Sequence, residues 1–457
     1  MIAAPSTQPT RSIEQLRRTP HRLSDPGFPY GEALLQFLWS ARLYDGRDLR
    51  TTKGETVEVI EPGRVQVHSG PDLEEARVRI AGQVWAGNVE VHVRSSEWNT
   101  HGHSQDPAYD NVILHVVYEH DADVRTSRGA MPPTVELVHR IAEERVALHM
   151  KLMQSVHAVP CSRQLAHVDR LRLGPWLERV LIERLERRTA FTGELLRRSD
   201  GDPSATLYHL LARAFGMQVN AEPFSMLAHV LPLAILRKYH DDPLRTEALL
   251  FGQAGMLEGE LHEDHPLKMQ GEYAHLARTH RLRSMPLAAW KFGRIRPSNF
   301  PTVRLAQFSA LMQRTEGRPA ALLDIEEAGE LRAMLKVTAG TYWHTHHQFE
   351  RAGPVRPKRL GTMAADHIII NAIVPALFAM GQAFGRPTWQ ERALALLHQL
   401  PAEQNSKLGV WAGSGLTADS AGRGQSLLEL RDRYCRVRRC LSCGIGNQLM
   451  AQAVKGQ

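Results

Sequence analysis

The chain has 457 residues, 43% of them hydrophobic and 23% charged. That is too long for one ordinary core and too apolar for a disordered chain, so two or three globular domains are expected. The formal net charge of +7 allows a polyanionic partner without requiring one.

Residues 1–29 read as a flexible basic arm, rich in proline and carrying Arg11, Arg17, Arg18 and Arg22. They contain no apolar run of the kind a secretory signal needs. A helix starts near Gly31, where Ala33, Leu34, Phe37 and Leu38 recur at helical spacing. The period then changes to two. Segments 57–60, 76–80, 83–86, 88–94, 111–118 and 134–138 are short, rich in valine and isoleucine, and separated by Gly, Pro or Asp turns. The Ala81-Gly82 pair marks a tight hairpin. The expectation is one helix followed by a mostly antiparallel strand set: a small mixed α/β module over residues 30–145.

Beyond it the pattern is helical almost to the end, over 171–198, 205–215, 224–231, 245–256, 267–283, 302–313, 325–337, 364–384 and 388–400. The fold class expected is α+β, with a small mixed sheet module first and a large all-α region over 146–457. The boundary falls between Leu137 and Pro160. The apolar run 368–384 contains Asn371, Pro375 and Gln382, so it reads as a buried helix and no membrane is expected. Three of the 4 cysteines fall together near the C-terminus, which suits a reduced cytoplasm and a metal site better than a disulfide framework.

The segment around Glu90 carries the chemistry. On a strand, Val89, Val91 and Val93 face a core while Asn88, Glu90, His92 and Arg94 face the other way. Upstream, Gly70-Pro71-Asp72 leads into the preceding strand, and a hairpin can bring Asp72 beside Glu90. Two converging carboxylates suit Mg²⁺ or Mn²⁺, and a neighbouring His92 can take a proton or hold a water for attack on a phosphodiester. Glu32, on the first helix, can add a third carboxylate. The opposing expectation is a solvated sheet face held by cross-strand pairs.

Pro71-Asp72, a hairpin, then Glu90-Val91-His92 resembles the signature of the PD-(D/E)XK, restriction-endonuclease-like phosphodiesterases. That resemblance implies a leading helix, a hairpin bearing the aspartate and a strand bearing the glutamate. Asp72 and Glu90 would then bind metal, and Glu32 would match the helix carboxylate of some members. The lysine position holds His92. The stretch 70–117, together with Arg296-Pro-Ser-Asn-Phe-Pro and the C-terminal cysteines, also resembles a prokaryotic family known only as a domain of unknown function, which implies no activity.

The loop after the site strand reads E-W-N-T-H-G-H-S-Q-D-P-A-Y-D. His101, His103 and Asp106 can ligate a metal or act as acid and base, which makes a zinc hydrolase the rival enzyme. His115 shares a strand face with Ile113 and Val117, where a hydrogen-bonded core histidine is the alternative. Cys435-x4-Cys440-x2-Cys443 can converge on zinc or an iron–sulfur cluster, with Cys161 or a histidine as the fourth ligand.

Arg94, Arg296 and Arg304 are placed as phosphate contacts, the last two flanking a loop with Phe300. The arginines late in the long helix, Arg184, Arg187 and Arg188 among them, read as a solvated face with pairs such as Glu183 and Arg187. The leading expectation is a nucleic-acid-directed, metal-dependent phosphodiesterase. The alternative is a non-catalytic nucleic-acid or protein binding module with a metal-stapled helical scaffold.

Overall fold

The computed structural model describes residue 28, residues 31–66 and residues 69–453. Apart from Phe28, the basic arm lies outside them. Contacts divide the chain into two units, Met1–Val156 with Arg438–Gln457, and His157–Val437. With 53% helix, a small mixed sheet near the N-terminus and a large helical region, the class is α+β.

In the first unit, helix α1 spans Glu32–Ser40 and buries Leu34, Leu35, Leu38 and Trp39. Burial of each of these large apolar side chains contributes roughly 1.5–3 kcal/mol of transfer free energy. Strands β1 (Val57–Glu61), β2 (Arg64–Val65), β3 (Leu73–Ile80), β4 (Gln83–Arg94), β5 (Val112–Glu119) and β6 (Thr134–Glu136) follow. The sheet order is β1-β3-β4-β5-β6, with β2 paired to β3. The β3–β4 turn is Ala81 at φ 48° and Gly82 at φ 87°, the two positive φ values that a two-residue hairpin matching strand twist requires.

The sheet is more parallel than the alternating strands implied. β1, β3 and β4 are antiparallel, but β4 pairs parallel to β5 and β5 parallel to β6. A parallel pair needs a crossover of a dozen or more residues. The link from Arg94 to Val112 has that length, and it carries helix α2 (Glu97–Thr100) and two 3-10 turns. The histidine loop is therefore a crossover lying against the sheet. Val89 and Val91 enter the core with the apolar face of α1, joined by Leu73, Val78, Leu114, Val116 and Val135.

The C-terminal segment, which the sequence pattern assigned to the helical domain, packs in the first unit. Met450, on the helix Gly444–Gln452, is fully buried in the α1–sheet core. Arg145 of helix α3 (Glu143–Gln154) donates through Nε to the Met450 carbonyl at 3.2 Å and through Nη1 to the Leu43 carbonyl at 2.7 Å.

The second unit is helical. Helix α4 spans Arg170–Arg198, and helix α5 spans Pro203–Phe215. Leu173, Leu177, Val180, Leu181 and Leu185 form the buried stripe of α4, while Trp176 is half-buried beside Tyr434. The helix Thr362–Ala383 is long and apolar enough to cross a membrane by length and composition, yet 78% of its apolar window is buried inside the protein. A π-helical turn, Ile369–Ile373, interrupts it.

Candidate metal centre

Asp72 and Glu90 meet because of where β3 begins. Leu73 pairs with Val89, so Asp72 stands beside Glu90. A bulge follows at once: the register jumps between Leu73 and Ala76, and Glu75 takes φ 57°. Bulges re-aim side chains. The Asp72 N–H donates to Glu90 Oε2 at 3.0 Å, and the Val91 N–H donates to Asp72 Oδ2 at 3.1 Å. Gln36, one turn after Glu32 on α1, hydrogen-bonds the Asp72 carboxylate. Gly87 allows β4 to approach the start of β5 closely, since a Cβ there would lie 2.7 Å from the Asn111 carbonyl oxygen.

The histidines join the same cluster. His92 Nδ1 is 2.9 Å from His115 Nε2, and His92 Nε2 is 3.1 Å from His101 Nδ1. His103 Nε2 lies 3.1 Å from Glu90 Oε1 but lacks hydrogen-bond geometry, so this buried nitrogen has no hydrogen-bond partner among the described residues. Glu90 Oε1 is 3.7 Å from His92 Nε2. Glu32 Oε1 is 3.9 Å from both His92 Nε2 and His101 Nδ1. One ring nitrogen from each of His92, His101 and His103 falls within 4.8 Å of the others. The two enzymatic readings of the sequence, paired carboxylates and a histidine loop, describe one place.

The crossover walls this place in. Trp98 of α2 is fully buried, donates Nε1–H to the Arg125 carbonyl at 3.0 Å, and sets its ring 5.1 Å from His115 and 5.4 Å from His103. Tyr109 stacks on His103 with centroids 3.7 Å apart. His101 and Glu32 are partly exposed and form the solvent side.

Burial sets the electrostatics. It is the main reason that the Glu32 carboxyl is pushed up to about 8, with Asp72, Glu97 and Glu90 adding repulsion. Asp72 is pushed up to about 7, first by burial and then by Glu90, against the hydrogen bonds from Gln36 and Val91. His92 is pushed down to about 2 by burial and by His115, His101 and His103. His115 is pushed down to about 3 by burial, His120 and His103. Crowded carboxylates beside imidazoles held neutral are the donor set that a divalent cation takes.

Glu90 and His92 are 4% and 1% exposed, so their strand face is not the solvated surface of the opposing reading. Asp106, expected as a ligand, is instead the cap of the turn Pro107–Tyr109, accepting from the Ala108 N–H at 2.9 Å. That bond positions Tyr109. His115 stands behind His92, in register with Glu90. Arg94 places its guanidinium 3.8 Å from Glu119.

Arg296 and Arg304 belong to the second unit. Arg296 is exposed. Arg304, expected at phosphate, is buried, bonded to Asn299 Oδ1 at 2.6 Å and Gln307 Oε1 at 3.0 Å, and burial pushes it down to about 10. Its charge holds its own loop. All four cysteines are buried, Cys440 and Cys443 in the first unit, Cys161 and Cys435 in the second. Burial and the nearby Cys443 push the Cys440 thiol up to about 11.

Gln36, Trp98 and Tyr109 were missed by sequence reasoning. Gln36 left a signal, as the one polar residue inside an apolar helical run four positions after Glu32. Trp98 and Tyr109 left none beyond their place in the loop.

A family model described as "Protein of unknown function (DUF2851)" matches residues 32–406. The match takes in all the cluster residues from Glu32 to His115 and stops before Cys435. No curated protein and no solved structure matches the chain.

Proposed function

The chain belongs to the DUF2851 family, and from that starting point we propose that its sheet module is a divalent-metal-dependent phosphodiesterase acting on nucleic acid. One observation carries the reading: Glu32, Asp72 and Glu90 converge with His92, His101 and His103 in one cluster, buried but for its Glu32 and His101 side. The buried His103 Nε2 with no hydrogen bond among the described residues, and carboxyls raised first by burial and then by one another, suit a divalent cation. Glu90, Asp72 and the three imidazoles would hold it, with Glu32 on the open side. Three imidazoles favour Mn²⁺ or Zn²⁺ over the Mg²⁺ that carboxylates alone would take. A cation there supplies charge to polarise a phosphoryl oxygen and to acidify water.

The chain's own groups do the rest. The raised Glu32 carboxyl holds or releases a proton near neutrality, at the solvent side. His92 takes the position that the family resemblance gives to lysine, but as a neutral ring it cannot supply a lysine's charge. Its Nδ1 lies 2.9 Å from His115 Nε2, so His115 would orient the His92 ring and leave Nε2 to face the cation. Trp98 and Tyr109, packed on His103 and His115, shield the inner side of the cluster from water. The basic composition and the PD-(D/E)XK resemblance support nucleic acid as the substrate.

The test is cleavage of mixed DNA and RNA substrates with Mn²⁺, wild type against Glu90→Ala, alongside calorimetric Mn²⁺ binding. Cleavage that depends on Glu90 supports the reading. Metal binding without cleavage of either polymer overturns the nuclease and leaves a binding module.

A further inference from the structure

The second unit holds a cavity of about 470 Å³, lined by Arg187, Arg188, Phe191, Arg213, His367 and Asn371 among others. It lies between α4, α5 and the helix Thr362–Ala383, and it owes nothing to the metal centre.

The late arginines of α4 were expected on a solvated face with intrahelical pairs; Arg197, exposed and paired with Glu194, and the exposed Arg198 fit that, but Arg184 and Arg188 are drawn inward and Arg187 pairs across to another helix. Glu183 pairs with Arg179, at 3.1 Å, and accepts from the Tyr434 hydroxyl at 2.7 Å. Arg184 and Arg187 instead bind Glu429, whose side chain is 3% exposed. Arg213 pairs with Glu222 at 3.0 Å. Each of these cations has its carboxylate.

Arg188 has none. Its hydrogen bonds, both through Nη2, go to Asn371, at 3.1 Å to Oδ1 and 3.5 Å to the carbonyl. No carboxylate among the described residues lies within ion-pair distance of it. The nearest in electrostatic reach, Glu403, is committed elsewhere: Oε1 accepts from His367 Nδ1 and the Asn371 amide, and Oε2 from Gln425. A largely buried guanidinium flanked by Arg184, Arg187 and Arg213 lacks an anion.

The backbone is shaped for this place. Asn371 sits in the π-helical turn, whose extra residue carries its side chain toward both Arg188 and Glu403. Such turns recur at functional sites. His367, one turn earlier, uses Nδ1 on Glu403, and no hydrogen bond among the described residues engages its Nε2. Phe191, 50% exposed, gives the cavity an aromatic wall.

We propose that this cavity binds a small phosphate ester carrying a flat ring, of mononucleotide size. The phosphate sits on Arg188, with Arg213 and His367 Nε2 beside it, and the ring lies against Phe191. The guanidinium fork matches phosphate oxygens, and the volume falls in the usual range of ligand sites, roughly 300–1,000 Å³. That is room for one nucleotide.

The experiment is calorimetry on the full chain without divalent metal, using AMP, inorganic phosphate and a single-stranded oligonucleotide as probes. AMP should bind, and phosphate should bind more weakly. Arg188→Gln should weaken AMP roughly tenfold or more, and Arg213→Gln, on the surface, by a smaller factor. The ligand-free Arg188→Gln protein should melt at the wild-type temperature or higher, because a merely structural arginine would lower it on removal. Failure of the wild type to bind AMP overturns the proposal. So does a folded Arg188→Gln variant that binds AMP like the wild type, or oligonucleotide binding without AMP binding. If Arg188→Gln does not fold, unchanged AMP affinity in both Arg213→Gln and Phe191→Ala overturns it.

Discussion

The backbone N–H of Asp72 donates to the Glu90 carboxylate at 3.0 Å, while the Asp72 carboxylate accepts from the N–H just after Glu90 at 3.1 Å. Each carboxylate thus gives one oxygen to the other's strand. Glu90 keeps Oε1 toward His103 and His92. The clasp separates structure from charge, and it allows a clean substitution.

Asp72→Asn and Glu90→Gln keep an oxygen for the clasp and remove the crowded charge. Both variants should fold, melt at or above the wild-type temperature without metal, and lose cleavage by roughly 10²-fold or more. Melting curves in EDTA and an Mn²⁺ cleavage assay check the two halves. Wild-type cleavage by either variant would remove that residue from the proposed mechanism.

His103→Ala takes away a buried nitrogen that has no hydrogen-bond partner among the described residues. Mn²⁺ affinity should fall by roughly 10–100-fold. His115→Ala, acting from behind His92, should weaken it less. Calorimetric titration of both variants is the check, and equal affinity in wild type and His103→Ala would count against the site.

Stability should depend on pH in a set direction. Glu32 and Asp72, raised to about 8 and 7 from ordinary values of 4.5 and 3.8, bind more protons folded than unfolded. The metal-free protein therefore loses stability as pH rises from the ordinary carboxylate range through about 8. His92 and His115, lowered to about 2 and 3 from 6.5, act oppositely, removing stability as pH falls below 6.5. Urea midpoints in EDTA should peak on the acid side of neutrality. Mn²⁺ should raise the midpoint more near pH 8 than near pH 6, since ligation needs the ionised carboxylates.

Trp98→Ala empties the wall beside His103 and His115 and should destabilise the sheet unit by roughly 3–5 kcal/mol. Urea unfolding measures it. A cost below about 1 kcal/mol would mean that the crossover packs loosely.

Met450→Ala tests the return of the chain to the first unit. It should cost roughly 2–5 kcal/mol, read as faster hydrogen exchange in β3, β4 and β5. Unchanged exchange there would deny the C-terminal helix its place in that core.

The sequence made a good part of this legible. Leu34, Leu38 and their neighbours have the period of a helix, and Ala81-Gly82 has the chemistry of a two-residue turn. Alternation along β4 placed Glu90 and His92 opposite Val89 and Val91. Pro71-Asp72 before a hairpin placed Asp72 beside Glu90. All of these rest on residues within one element or across one turn, where backbone geometry fixes side-chain direction.

Only the tertiary structure decided the rest. His101 and His103 come to Glu90 and His92 because the link from β4 crosses over to a parallel strand, and no local period encodes strand direction. Arg187 chose Glu429 over Glu183, far along the chain, because a buried carboxylate gains more from a guanidinium than an exposed one does. Met450 fills a core more than 300 residues before it in sequence, where α1, about 410 residues away, leaves apolar surface to cover. Local periodicity and turn chemistry determine which residues form a helix, a strand or a hairpin. Which of those elements pack together depends on burying surfaces and charges that lie far apart in the chain, and that appears only once it has folded.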